Sequence, residues 1–254
     1  MSDFWDPDID AMNLSEIEKD GLQVYRNYTK AFEEHGRKLF AAEVNSRTFD
    51  VNSLASVVTL IAHEDARFVP VVACSFIDEL LLKMFRANLP HEVPGSTSNL
   101  YSQNGPLGGL ASRIQMAYLF DWLSPDNLHD ADRLRRARNK IAHRWQLNDA
   151  LSDLSHSILK DISDVENILA DGTRLKPTDV EKLNDEERFR FRTIWILGRT
   201  FYESHLYPIA KLKRLSPVET LYGAHHPNLL GDVAGVCKAR CAQILSAAVR
   251  RVGA

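Results

Sequence analysis

Cysteine is scarce: Cys74, Cys237 and Cys241 are the three in 254 residues, too few and too unevenly placed for a disulfide framework. A reducing, cytoplasmic setting is the expectation. Long apolar runs are missing as well, since no stretch approaches the ~18 uninterrupted apolar residues of a membrane span. The opening MSDFWDPDID has neither the basic nor the apolar region of a secretory leader, and none is expected. No sign of charge prevails. A net charge of −3 and a pI of about 6.3 exclude a general polyanion binder, so any nucleic-acid surface must be a local patch. There is no Gly-rich phosphate loop, no nucleophile elbow and no His-Glu-x-x-His helix. Strand-like alternation does not persist beyond a few residues, and no repeat is present.

What remains is helical. Hydrophobic residues make up 44% and charged residues 26%, the composition of an ordinary globular chain with room for a sizeable core. From Val69 the apolar set Val69, Val72, Ala73, Phe76, Ile77, Leu80, Leu81 and Met84 keeps helical spacing over four turns, and Asn88 and Pro90 end it. Residues 88–106, rich in Pro and Gly, read as a long irregular loop. Pro106 can open a helix carrying Leu107, Leu110, Ala111, Ile114, Ala117 and Tyr118 on one face. Ser124-Pro125 caps a third helix running to about Trp145. Residues 15–43, 51–63, 149–169, 179–205 and 232–251 also read as helix, while Gly198 and 206–231 are ambiguous. The fold class is therefore all-α. The expected organisation is an N-terminal helical extension (1–60), a helical core (61–170) and a C-terminal helical extension (171–254).

Charge is blocked along the chain. Residues 1–20 hold seven acids against Lys19, and 161–187 hold nine acids against three basic groups. Residues 131–144 hold six basic groups against Asp132, and 188–216 hold seven against Glu203. Basic and acidic blocks pairing with one another is one reading of this pattern, and a local anion-binding face is the other. Cys237 and Cys241 lie one helical turn apart with His225-His226 upstream. Their Ala, Val and Leu neighbours favour packing as small hydrophobes over zinc ligation, so neither a metal nor a cofactor is expected.

The segment Arg138-Asn139-Lys140-Ile141-Ala142-His143 stands out. At about 100° per residue, Ala131, Leu134, Ala137, Ile141 and Trp145 share an apolar face, and Arg138 falls inside it. Asn139 and His143 form an i, i+4 pair on an adjoining polar face. An arginine in an apolar stripe can snorkel to water, pair with a carboxylate such as Asp78 or Glu79, or line a cleft or interface that holds an anion. Arg113 reads as a solvated or ion-paired surface residue.

This segment resembles the signature of the HEPN superfamily (higher eukaryotes and prokaryotes nucleotide-binding domain), an arginine followed four to six residues later by histidine, often with a polar residue after the arginine. A longer resemblance spans about 67–145 and is similar to the mannitol operon repressor (MtlR) family. It is carried by FVPVVACSFIDELLLKMFRANL, by Asn104-Gly105-Pro106-Leu107-Gly108, by LASRIQMAYLFDWLS and by RRARNKIAH, where Phe120-Asp121-Trp122 replaces the family's usual Leu or Gly. The resemblance implies a HEPN-like helical bundle and a metal-independent endoribonuclease of the toxin or phage-defence kind. His143 would be its proton-transfer group, Arg138 its charge stabiliser and Asn139 an orienting residue, with Asp78, Glu79, Lys140 and Arg144 in support. It also implies RNA as substrate, a homodimer bringing two motifs together, and an antitoxin or regulatory protein as restraining partner. The alternative it leaves is a non-catalytic MtlR-like regulator or scaffold acting through protein partners. No helix-turn-helix reader is evident.

Overall fold

Nine helices and no strand make up the described part of the computed structural model, residues 5–90, 97–143, 182–212 and 227–252. They are α1 (Pro7–Asp10), α2 (Glu16–Asn45), α3 (Val51–His63), α4 (Val69–Asn88), α5 (Thr97–Tyr101), α6 (Leu110–Leu119), α7 (Pro125–His143), α8 (Asp185–Leu212) and α9 (Pro227–Val252). The all-α class follows. The helix expected over 149–169 lies outside the described residues. No described helix is long and apolar enough to cross a membrane.

Local chemistry sets most helix starts. Ser15 and Glu18 form a reciprocal capping box at α2. Asp50 caps α3 through the Ser53 N–H at 3.2 Å. Asn184 and Glu187 exchange side chain-to-backbone bonds of 2.9 Å at α8. α6 begins at Leu110, three residues later than Leu107, because the preceding chain is folded back on itself. The Leu107 N–H donates to the Leu100 carbonyl at 2.9 Å, and a Cβ at Gly105 would collide with the carbonyls of Asn99 and Leu100. The loop expected over 88–106 also contains the short helix α5.

α6 ends in a Schellman motif: Trp122 N–H reaches the Ala117 carbonyl at 2.8 Å and Asp121 N–H the Tyr118 carbonyl at 2.9 Å. Asp121 takes φ = 56°, the left-handed conformation that glycine adopts with least strain.

α4 is the central helix, with Ala73, Cys74, Ile77, Leu81 and Phe85 fully buried. α3, α6, α7 and α8 pack against it, and α9 closes over α3 and α8. One apolar cluster joins Phe40 and Val44 of α2, Leu54 of α3, Ile77 of α4, Leu134 of α7, Phe201 of α8 and Leu245 of α9. This core crosses the divisions expected at 60 and 170, so α8 and α9 complete the bundle. Gly198 lies on α8 at its closest approach to α9, where an added Cβ would sit 2.5 Å from Cys237 Sγ. The helix then continues through Pro208, since Leu206, Tyr207, Ile209 and Ala210 are all buried and their packing outweighs the roughly 3 kcal/mol that an internal proline costs.

Candidate functional site

α7 is held in place at its first turns. Ser124 Oγ accepts the Asn127 N–H at 3.3 Å, and Pro125 occupies the first helical position. The buried Glu203 carboxylate of α8 accepts from Ser124 N–H at 2.9 Å, Ser124 Oγ at 2.7 Å and Asn127 Nδ2 at 2.9 Å. Asn127 Oδ1 in turn accepts from Thr200 Oγ1 at 2.8 Å. Burial raises the Glu203 pKa above the usual glutamate value, and the bonds from Ser124 and Asn127 offset part of that rise.

One turn further, the buried Asp130 carboxylate accepts from Arg192 Nη2 at 2.9 Å and from Arg199 Nη2. Arg133 reaches its other oxygen at 3.3 Å. Periodicity places Asp130 beside Leu134 on the apolar face, and that position was the signal available in the sequence. Arg192 and Arg199 lie over 60 residues away on α8, where no local pattern points to them. These contacts fix the rotation and height of α7, and therefore where Arg138, Asn139 and His143 stand two to three turns later.

Arg138 and Asn139 are both half-buried, and Asn139 Oδ1 accepts from Arg138 Nε at 3.4 Å and Nη2 at 3.2 Å. Arg138 lies over α4. Its charge, with that of Arg135, opposes the burial that pushes the Cys74 thiol up to about 11. Other arginines of the segment have carboxylate partners: Arg133 meets Asp130 at 3.3 Å, and Arg135 and Arg136 share Asp132 at 2.7 Å each. Among the described residues no carboxylate comes within ion-pair reach of Arg138. Asp78 is engaged by Arg113 at 2.5 Å and Glu79 by Lys83 at 2.6 Å, so neither pairs with Arg138. Lys140 is exposed, and His143 closes α7. The His143 ring, Arg144 and Trp145 lie outside the described residues.

Arg113 is buried, unlike the surface residue expected. Its Nε donates to the Leu107 carbonyl at 2.9 Å while Nη1 holds Asp78, so it ties α6 and the loop before it to α4. The blocks of opposite charge pair in part: Arg190 meets Glu186 at 2.6 Å, while Glu187 is met by Arg251, from outside both basic blocks, at 2.8 Å. Arg192 and Arg199 pair instead with Asp130, just before the other basic block. Cys237 and Cys241 are buried between α9 and α8, with Cys237 pushed up to about 12 by desolvation, as expected of cysteines that pack as small hydrophobes. His225 and His226 lie outside the described residues. No group of three or more His, Cys, Asp or Glu side chains that could hold a metal occurs among the described residues. A guanidinium fixed by a neighbouring amide, with no carboxylate partner among the described residues, is suited to a phosphate oxygen. No protein-family model, curated protein or solved structure matches this chain.

Proposed function

We propose that the α7 segment is the site of a HEPN-like, metal-independent endoribonuclease of the toxin or phage-defence kind. One observation carries this reading: among the described residues no carboxylate comes within ion-pair reach of Arg138, which Asn139 steadies, while the neighbouring Arg133, Arg135 and Arg136 are paired with acids. The resemblance gains support from Asp121, which adopts the left-handed conformation where the related phrase places glycine. Gly105 and Arg113 of the same phrase support it too, Gly105 by its close approach to the Asn99 and Leu100 carbonyls and Arg113 by its bonds to the Leu107 carbonyl and Asp78.

In the proposed reaction a ribose 2′-OH attacks the adjacent phosphorus. The 2′-hydroxyl proton passes to a base, the P–O5′ bond breaks, and the departing 5′-oxygen takes a proton. A 2′,3′-cyclic phosphate and a 5′-hydroxyl remain. His143 takes one of the proton-transfer roles, since an unperturbed imidazole changes charge near neutrality. Arg138 stabilises charge on the non-bridging oxygens, and Asn139 sets its orientation. A homodimer that brings two such motifs together, and a restraining antitoxin or regulatory protein, belong to the same reading.

The test is incubation of the purified protein with total RNA in EDTA. Cleavage should persist without metal, leave DNA intact, and fall by roughly 10²-fold or more in His143→Ala. Arg138→Lys keeps the charge but loses the planar fork, and should also impair cleavage. A folded wild-type protein that leaves RNA intact would instead support an MtlR-like regulator acting through protein partners.

A further inference from the structure

We infer that the outer face of α2 is a self-association surface that pairs antiparallel with α2 of a second copy about a two-fold axis at Tyr28. The inference rests on α2 alone and stands whether or not the α7 site cleaves RNA.

The 30-residue helix α2 carries two different faces. Gln23, Phe40 and Val44 are buried on one side, where α2 meets α1 and the body. Taking Tyr28 as zero at about 100° per residue, Ile17, Val24, Tyr25, Phe32 and Leu39 all fall within about 60° of it, a stripe turned away from that side. These six side chains are 43 to 84% exposed. Counting a fully exposed large apolar side chain at about 150–200 Å², they present roughly 600 Å² per copy. A symmetric pair would cover roughly 1,200 Å², the lower edge of a stable protein interface.

The order of residues along the stripe selects a second copy. Ile17 and Leu39 each lie 11 positions from Tyr28, in opposite directions. Val24 and Phe32 each lie 4 positions from it. An antiparallel two-fold pair centred on Tyr28 therefore sets Ile17 against Leu39, Val24 and Tyr25 beside Phe32, and Gly21 opposite His35. Such symmetry keeps each flank of the stripe facing its own equivalent. Asp20 and Lys38 share one flank, and the two-fold brings them within two positions of each other across the pair, giving opposite charges at both ends. In the single chain Asp20 accepts from Trp5 and Lys38 pairs with Glu34 at 2.9 Å, both at the exposed surface where partners exchange readily. A membrane occupant fits less well: the polar faces of α2 hold six acids against five basic residues, without the cationic excess of a membrane-surface helix.

The experiment is sedimentation velocity of the full chain across the micromolar range, alongside circular dichroism. Wild type should sediment as at least a dimer of the 28.8 kDa chain. Tyr28→Glu, which places two like charges at the axis, should sediment at half the wild-type mass with unchanged helicity. Asp20→Lys and Lys38→Asp should each weaken the dimer at least several-fold, and the double charge swap should restore it, which a merely structural role for either residue would not produce. Mixing Ile17→Cys with Leu39→Cys should give a bismaleimide-linked heterodimer, with far less product from either variant alone. A monomeric wild type, a dimer indifferent to Tyr28→Glu, or preferential linkage of Ile17→Cys to itself would overturn the proposal.

Discussion

Glu203 and His205 sit two residues apart on α8, both largely buried, and protonation acts on them in opposite senses. Desolvation holds the Glu203 pKa above its ordinary value of 4.5. The folded state therefore keeps a proton that the unfolded chain releases, and this contribution to stability declines as pH rises from about 4.5 toward the raised value. Burial lowers the His205 pKa from 6.5, only partly offset by the Phe201 carbonyl, which lies 2.7 Å from Nδ1. Here the unfolded chain takes up the proton first, so stability is present above about 6.5 and declines as pH falls through it. The two effects slope in opposite senses with pH, the first above about 4.5 and the second below about 6.5. Glu203→Gln should remove the decline of stability that begins above pH 4.5. His205→Phe, which retains ring contacts with Phe49 and Phe201, should remove the acid-side loss. Urea unfolding of the three proteins at a series of pH values reads both slopes; parallel profiles would refute the assignment. Neither effect is legible in sequence, because desolvation depends on what α7 and α8 place around a residue.

At the level of elements, two exchanges involving glycine should move stability in opposite directions. Gly198→Ala improves helix propensity by about 1 kcal/mol, yet it drives a methyl group against Cys237 Sγ at 2.5 Å and Val233 at 3.3 Å. Overpacking of about 1–3 kcal/mol should outweigh that gain, and Cys237→Ala should partly relieve it. Asp121→Gly removes a side chain from a left-handed residue and should stabilise by about 0.5 kcal/mol. Thermal denaturation of the two variants checks both signs. These positions also mark what sequence reading reaches. The face of α4 was legible because helical spacing and burial coincide at Ala73, Ile77, Leu80, Leu81 and Met84. The start of α6 was not, since hydrogen bonds from a folded-back loop, rather than Pro106, decide where it begins. Gly198 is ambiguous in the sequence, within the helix expected over 179–205, and its packing against Cys237 of α9 accounts for it. The helix that carries Arg138 and Asn139 was legible in outline, and the lack of a carboxylate beside Arg138 among the described residues became visible only once Asp78 and Glu79 were seen to be engaged by other residues.

At the scale of the whole molecule, the residues that position α7 come from beyond the segment that contains it. Asp130 is neutralised by Arg192 and Arg199, and the first turn of α7 is held by Glu203, all from α8. Phe189, Phe191, Ile194, Leu197 and Phe201 of the same helix are buried in the shared core. A fragment of residues 61–170 retains α4, α6 and α7 but loses every one of these partners. Each large apolar side chain that leaves the core forfeits about 1.5–3 kcal/mol, so the five named here forfeit roughly 7–15 kcal/mol, comparable to the 5–15 kcal/mol by which domains are usually stable. The fragment should therefore lack a cooperative thermal transition and bind a hydrophobic dye, whereas the full chain should unfold in one step. Calorimetry and dye fluorescence on both proteins decide the matter. Cooperative melting of the fragment would mean that α4, α6 and α7 form an independent domain, and that Asp130 finds its compensation there without α8.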